Sequence, residues 1–225
     1  AATVWFGSVA ASIVLFQIVA SATGHAGDKT STMPFWLHPT VSMVVLWIPT
    51  LAFLWFVSRR HLSGSFTRDY GLSVRAVDVL GIPIGIVCQV LVLRVVYWPL
   101  ERLAPDTFGK ARIERPGREL TDRALGGWKA VLIVAVVIGA PLVEELLYRG
   151  LVLRGIERHV GGWLAVVLSA AWFAAAHLQP VQFVGLFVFG VVLAVCWQRT
   201  RRLGMGILAH AAFNATSVVM LWPKR

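Results

Sequence analysis

The stretch WKAVLIVAVVIGAPLVEELLYRGLVL, Trp128–Leu153, decides how the chain is read. No charged residue stands between Ala130 and Val143; then come the adjacent carboxylates Glu144 and Glu145, and Arg149 one turn later. The run is too long for a barrel strand and does not alternate with period two. As a helix rising about 1.5 Å per residue it is long enough to cross the ~30 Å hydrocarbon layer of a bilayer. Carboxylates are expensive in lipid, so their presence here is informative.

Working outward, six more apolar runs have similar length: Ala2–Ala22, Val41–Val57, Ala76–Trp98, Gly162–Leu178, Val181–Trp197 and Leu203–Trp222. Lipid offers backbone groups no partner, so such runs are expected to be helices. The expected fold class is all-α: a polytopic membrane bundle of about seven helices. The first run lacks a basic flank and reads as a helix rather than a leader. Composition agrees: 57% of residues are hydrophobic and 14% charged, with mean hydropathy +0.73. A soluble domain holds about 45–50% apolar and about 25% charged residues. A soluble single core, a disordered chain and a coiled coil are excluded. The net charge is +10, but the bases lie between the apolar runs and form no single stripe. They fit the lipid bilayer and its anionic headgroups as partner, and no nucleic acid. Cys88 and Cys196 sit inside apolar runs and read as small buried hydrophobes.

Three regions emerge: residues 1–100, N-terminal helices without a motif; residues 101–127, a polar connection; and residues 128–225, which carry the chemistry. The stretch Glu101–Lys129 holds seven Lys or Arg and five acids. Part of it, such as Arg118–Leu125, reads either as a helix lying on the membrane surface or as a solvated loop. The short connections Ser58–Arg75, Arg154–Gly161 and Arg199–Arg202 share a face by alternation and are rich in arginine. The positive-inside rule makes that face cytoplasmic.

Glu144 and Glu145 are the only acids deep in a span. His177 and His210 are the only histidines there, since His25, His38, His61 and His159 lie in connections. The single asparagine, Asn214, follows His210 by one turn. Glu145 and Arg149 are four apart and share a helix face, where a charge-assisted hydrogen bond holds both. Glu144 points about 100° away and is left to face a cavity. Such a division makes one carboxylate structural and the other reactive. Phe173 and His177 share a face, as do His210 and Asn214. Rise per residue places all of these at compatible depths. A buried Glu–Arg clamp or a lone interhelical histidine explains any one of these residues; packing explains the set poorly. A non-catalytic membrane scaffold or immunity protein, and a proton-coupled transporter, stand as alternatives to an enzyme.

Glu144-Glu145-Leu-Leu-Tyr-Arg149, Phe173-Ala-Ala-Ala-His177 and His210-Ala-Ala-Phe-Asn214, in that order, resemble the motifs of the CAAX-processing and bacteriocin-processing (CPBP, or Abi) intramembrane proteases. The resemblance spans roughly Trp128–Trp222. It implies an endopeptidase that hydrolyses a peptide bond of a membrane protein or peptide substrate. Glu144 and His177 would activate water, and His210 and Asn214 would stabilise the oxyanion. Glu145, Arg149 and Phe173 would support the site. The family is also described as metal-dependent; Glu144, His177 and His210 would then be Zn²⁺ ligands with an open fourth position. No His-Glu-x-x-His helix is present, so a metal-free site without cofactor is the preferred expectation. The expected location is a bacterial plasma membrane, with the site opening to the cytoplasm.

Overall fold

Each charge-free run closes its hydrogen bonds within itself, and the computed structural model has the helices that this requires. It describes residues 2–28, 33–34, 37 and 41–222; His38 lies outside them. The helices are α1 (Ala2–Ala22), α2 (Ser42–His61), α3 (Phe66–Tyr70), α4 (Ala76–Leu103), α5 (Lys110–Arg123), α6 (Trp128–Val160), α7 (Gly162–Ala176), α8 (Phe183–Thr200) and α9 (Gly204–Leu221). Pro105–Phe108 forms one further turn, and no strand occurs among the described residues. The chain is an all-α polytopic bundle. Five of its helices, α2, α4, α6, α8 and α9, are long and apolar enough to cross a membrane. The runs Phe6–Ala22 and Gly162–Ala176 are apolar but shorter. Large side chains such as Leu91, Val95, Ile138 and Trp163 are exposed, as on a surface whose solvent is lipid.

Neither α4 nor α6 is a plain α-helix. α4 opens with a 3₁₀ turn, Ala76–Leu80, and has a π turn at Cys88–Val92. α6 has π segments at Val134–Gly139 and Leu146–Leu153, with the α-helical turn Ala140–Glu145 between them. π segments are rare and concentrate at functional sites. Here they flank the carboxylate pair.

The connections are braced by polar contacts. α6 passes to α7 through Gly161 alone, at φ +82°, a conformation that glycine adopts without strain. Between α2 and α4, Ser58 Oγ (2.6 Å) and Ser63 Oγ (2.5 Å) donate to the Asp69 carboxylate. Burial pushes that carboxyl upward, but these hydrogen bonds prevail and hold it below the usual carboxylate range. Tyr70 is buried, which pushes its phenol up to about 12, and its hydroxyl donates to Leu54 O at 2.7 Å. Arg202 reaches from the α8–α9 turn to Asp78 at 2.9 Å. Beneath these contacts lies a core of Leu54, Tyr70, Leu146, Leu153, Val166 and Trp197.

The surface helix is longer than the stretch Arg118–Leu125. It starts at Lys110 and runs to Arg123. Its i,i+4 pairs Glu114–Arg118 (2.6 Å) and Arg115–Glu119 (2.7 Å) carry it over Pro116.

Gly81 and Gly85 make α4 lie directly on α9, as small residues one turn apart do between membrane helices. A Cβ at Gly85 would collide with the Ala209 carbonyl oxygen, and one at Gly81 with that of Met205. A backbone oxygen cannot move aside as a side chain can. Gly85→Ala should therefore cost at least about 1–3 kcal/mol. Gly127→Ala, where an added Cβ meets nothing within 4 Å, should be near neutral. Melting curves of the two variants in detergent check this; matching curves would refute the close approach.

Candidate active site

The site begins with α6. Its π segments and intervening α turn set adjacent carboxylates to opposite uses. Glu145 is fully buried and accepts from Arg149 Nη1 at 2.8 Å. Arg149, also fully buried, donates from Nη2 to Gly190 O at 3.0 Å. Its guanidinium lies over the Phe173 ring, 4.6 Å from the centroid. One buried cation thus joins α6, α7 and α8. Gly206 of α9 leaves room for the carboxylate, since a Cβ there would stand 2.9 Å from Glu145 Oε2.

Glu144 turns the other way. It lines a cavity of about 270 Å³ together with Phe173, His177, His210 and Asn214. It also lines a second, mostly apolar cavity of about 190 Å³ between α1, α2 and α6, with Trp47, Thr50 and Tyr148. Glu144 and His177 therefore stand where two cavities meet.

Backbone geometry aims the histidines. α7 ends at Ala176, and Leu178 follows in the left-handed region at φ +54°. His177 caps the helix, and its Nδ1 lies 2.7 Å from Phe173 O. A carbonyl only accepts, so Nδ1 carries the hydrogen and Nε2 faces the cavity. On α9, His210 Nδ1 lies 3.2 Å from Glu145 Oε1, which likewise makes it the donor. Its ring stands edge-on to Phe173 (5.9 Å) and Phe189 (5.4 Å). Both Nε2 atoms approach Glu144 Oε2, His177 at 3.9 Å and His210 at 3.8 Å. Those gaps are too long for direct hydrogen bonds and short enough for one small molecule to bridge. Asn214 Nδ2 donates to Val136 O at 2.8 Å, which fixes its amide plane and leaves its second hydrogen free.

The structure thus brings Glu144, Glu145, Arg149, Phe173, His177 and His210 together, and sets Asn214 on the wall of the same cavity. Arg94 is exposed and has no ion pair with Glu144 among the described contacts. The sequence reading missed the far wall, which includes Gln89, Leu93 and Tyr97 of α4 and Ile113, Gly117 and Leu120 of α5. No motif marks these residues. The amphipathic pattern of residues 110–123 was the one available signal for α5.

The cavity lies toward one end of the bundle. It is bordered by α5, by the link after α7 and by Met220 and Leu221 at the end of α9. Gln182 Nε2 donates to Ile113 O (2.7 Å) and Thr121 Oγ1 to Leu221 O (3.4 Å), which holds α5 on this face. The single-residue α6–α7 turn and the α8–α9 turn lie at the opposite ends of those helices. The cavity therefore lies toward the end of these helices away from those arginine-rich turns.

Two imidazoles and a carboxylate are donors that suit zinc. Tetrahedral bonds of 2.0–2.1 Å put ligand atoms about 3.3 Å apart. The gaps of 3.8 and 3.9 Å are wider. Among the described residues no group of three or more His, Cys, Asp or Glu is arranged to hold a metal ion. As placed, these residues do not fit the ion.

No curated protein and no solved structure is significantly similar to the chain. Residues 126–216, which include every motif residue from Glu144 to Asn214, match the family described as Rce1-like, type II CAAX prenyl endopeptidase Rce1-like. The match supports a CAAX-type intramembrane protease in general, and over those residues, less than half of the chain, the sequence is similar to that family.

Proposed function

We propose that the chain is an intramembrane endopeptidase whose Glu144 and His177 activate water and whose His210 and Asn214 stabilise the oxyanion. The observation that carries this reading is the approach of two imidazole Nε2 atoms to one unpaired carboxylate oxygen at a cavity wall. Water held between Glu144 Oε2 and His177 Nε2 donates a hydrogen to each acceptor and turns its lone pair to a scissile carbonyl. Glu144 takes the proton as the C–O bond forms. The carbonyl oxygen, now an oxyanion, accepts from the free Nδ2 hydrogen of Asn214 and from His210 Nε2 when that ring carries both protons. Glu144 then returns the proton to the leaving amine. Glu145 keeps His210 oriented, and Arg149 holds Glu145 in place.

The substrate of this reading is a membrane-associated protein or peptide, in keeping with the described family. The proposed location is a bacterial plasma membrane. The cavity mouth faces the cytoplasm, where the basic helix α5 lies against anionic headgroups. The deciding experiment compares the proteomes of membranes that carry the wild type or Glu144→Gln. Uncleaved substrates should accumulate only with the variant. Ion flux in proteoliposomes without any cleavage would replace the enzyme with a transporter.

Two expected results belong here. Asn214→Ala should lower single-turnover cleavage of a fluorogenic peptide by about 10²–10³, the usual loss for one oxyanion donor. Substrate affinity should change little. Wild-type turnover would make Asn214 an interhelical hydrogen bonder only. We also propose that the site works without a metal. The purified protein should hold far less than one equivalent of metal, and cleavage should survive prolonged chelation. Stoichiometric zinc, with activity lost on chelation and regained on its return, would reverse that assignment.

A further inference from the structure

The main cavity also holds amide side chains that the proposed chemistry does not use. Gln89, in the π turn of α4, and Gln179, two residues after His177, both line the main cavity. The Oε1 atom of each is buried and has no hydrogen-bond partner among the described residues. Burying a polar atom without a partner is unfavourable, so such atoms are few in native structures. Two in one cavity, beside a carboxylate and two imidazoles, point to a partner that the chain itself does not supply.

Gln182 makes a useful contrast. It lines the same cavity, but its Nε2 is engaged with Ile113 O at 2.7 Å. The link that carries Gln179 is also anchored elsewhere. Tyr97 Oη donates to Val181 O at 3.0 Å and accepts from Gly185 N at 3.2 Å. His177 is tied back to Phe173 O. Gln179 is thus held between fixed points on either side, and Gln89 stands on a separate helix.

A carboxamide offers an acceptor and donors, and it does so whichever way its end is turned. Its complement is another neutral group with both functions, which a peptide unit provides. Much of the remaining lining, including Leu93, Leu186, Phe189 and Phe213, is apolar, and its further carboxylate, Glu114, is already paired with Arg118 and Lys110.

We infer that Gln89 and Gln179 are substrate-positioning residues that hydrogen-bond the backbone of an extended peptide in the main cavity. The inference rests on the peptidase reading and adds how substrate is held: by its main chain, within the cavity that the base and the oxyanion donors also line. Backbone recognition leaves side-chain selection to the apolar lining.

The test uses the full chain in detergent micelles. Gln89→Met and Gln179→Met keep the side-chain length and remove the amide. Binding is read by fluorescence polarisation of a fluorescein-labelled decapeptide of alternating Ala and Leu, on a Glu144→Gln background that holds turnover off. The same decapeptide, N-methylated at alternate residues, is the second probe. Each substitution should weaken the parent peptide about tenfold, the size of one neutral hydrogen bond. The N-methylated peptide should bind more weakly than the parent and be indifferent to both substitutions. With active protein and a cleaved fluorogenic peptide, KM should rise about tenfold and kcat stay within about twofold. Unchanged binding of the parent, equal losses for both peptides, or no binding of either peptide to the unsubstituted background would each overturn the inference. A wild type that binds in the expected pattern but hydrolyses no peptide would instead remove the peptidase reading and leave the positioning role standing.

Discussion

Glu144→Gln should lower single-turnover cleavage by about 10²–10⁴, the range for loss of a positioned general base. The substitution keeps shape and volume. Glu144 Oε2 is buried and has no hydrogen-bond partner among the described residues, so no contact that holds the bundle is lost. The neighbouring pair Glu145–Arg149 is untouched. Melting temperature should therefore stay close to that of the wild type. The measurement pairs cleavage of a fluorogenic peptide in micelles with thermal unfolding of the same preparation. Cleavage within a few-fold of wild type would remove Glu144 from the chemistry. Loss of activity with an equal loss of folded protein would show a structural role instead.

Arg149→Ala should have the largest effect on stability. The guanidinium is fully buried and joins Glu145, the Gly190 carbonyl and the Phe173 face. Without it, Glu145 remains as a buried carboxylate with His210 as its one remaining side-chain hydrogen-bond partner among the described residues. Breaking a buried pair in this way costs about 3–5 kcal/mol. In a chain of this size each kcal/mol is worth about 2–4 °C, so a loss on the order of 10 °C is expected. Thermal unfolding in detergent, beside Glu144→Gln, checks it. Equal melting temperatures would show that the pair contributes nothing beyond its replacement.

Much of the fold is legible because lipid imposes a simple rule. Runs without charge had to be helices, and α2, α6, α8 and α9 follow those runs closely. The Glu145–Arg149 pair was legible from spacing alone, since contacts within one helix depend on sequence separation. Contacts between helices do not. That His210 Nδ1 would meet Glu145, and that Gln89 would line the same cavity as Glu144, depends on packing angles that no local pattern encodes. The π segments were hidden for a related reason. Val134–Gly139 has the same apolar composition as a plain α-helix, and the wider turn leaves no chemical trace. The surface helix was half visible: Arg118–Leu125 overlaps its later part, and the structure carries it back through Pro116 to Lys110.

The π segment ahead of Glu144 has a consequence for which changes of length the site tolerates. A π turn takes in one residue more than the α turn it replaces. A chain one residue shorter between Val134 and Gly139 would run on as an ordinary α-helix. Every residue after the deletion would keep its identity, and the three motifs would read unchanged. The α turn covers the same rotation with one residue fewer, so Glu144 and Glu145 would keep their direction relative to the helix entering from Trp128. One residue lost from the plain α-helical stretch Trp128–Ile133, with the π segment kept, would instead turn the motif residues relative to the start of the helix by about 100° and displace them by about 1.5 Å. A homologue can therefore differ by one residue at the π segment and keep the alignment of the site, while the same loss in the α-helical stretch must be absorbed by a shift of the helix start.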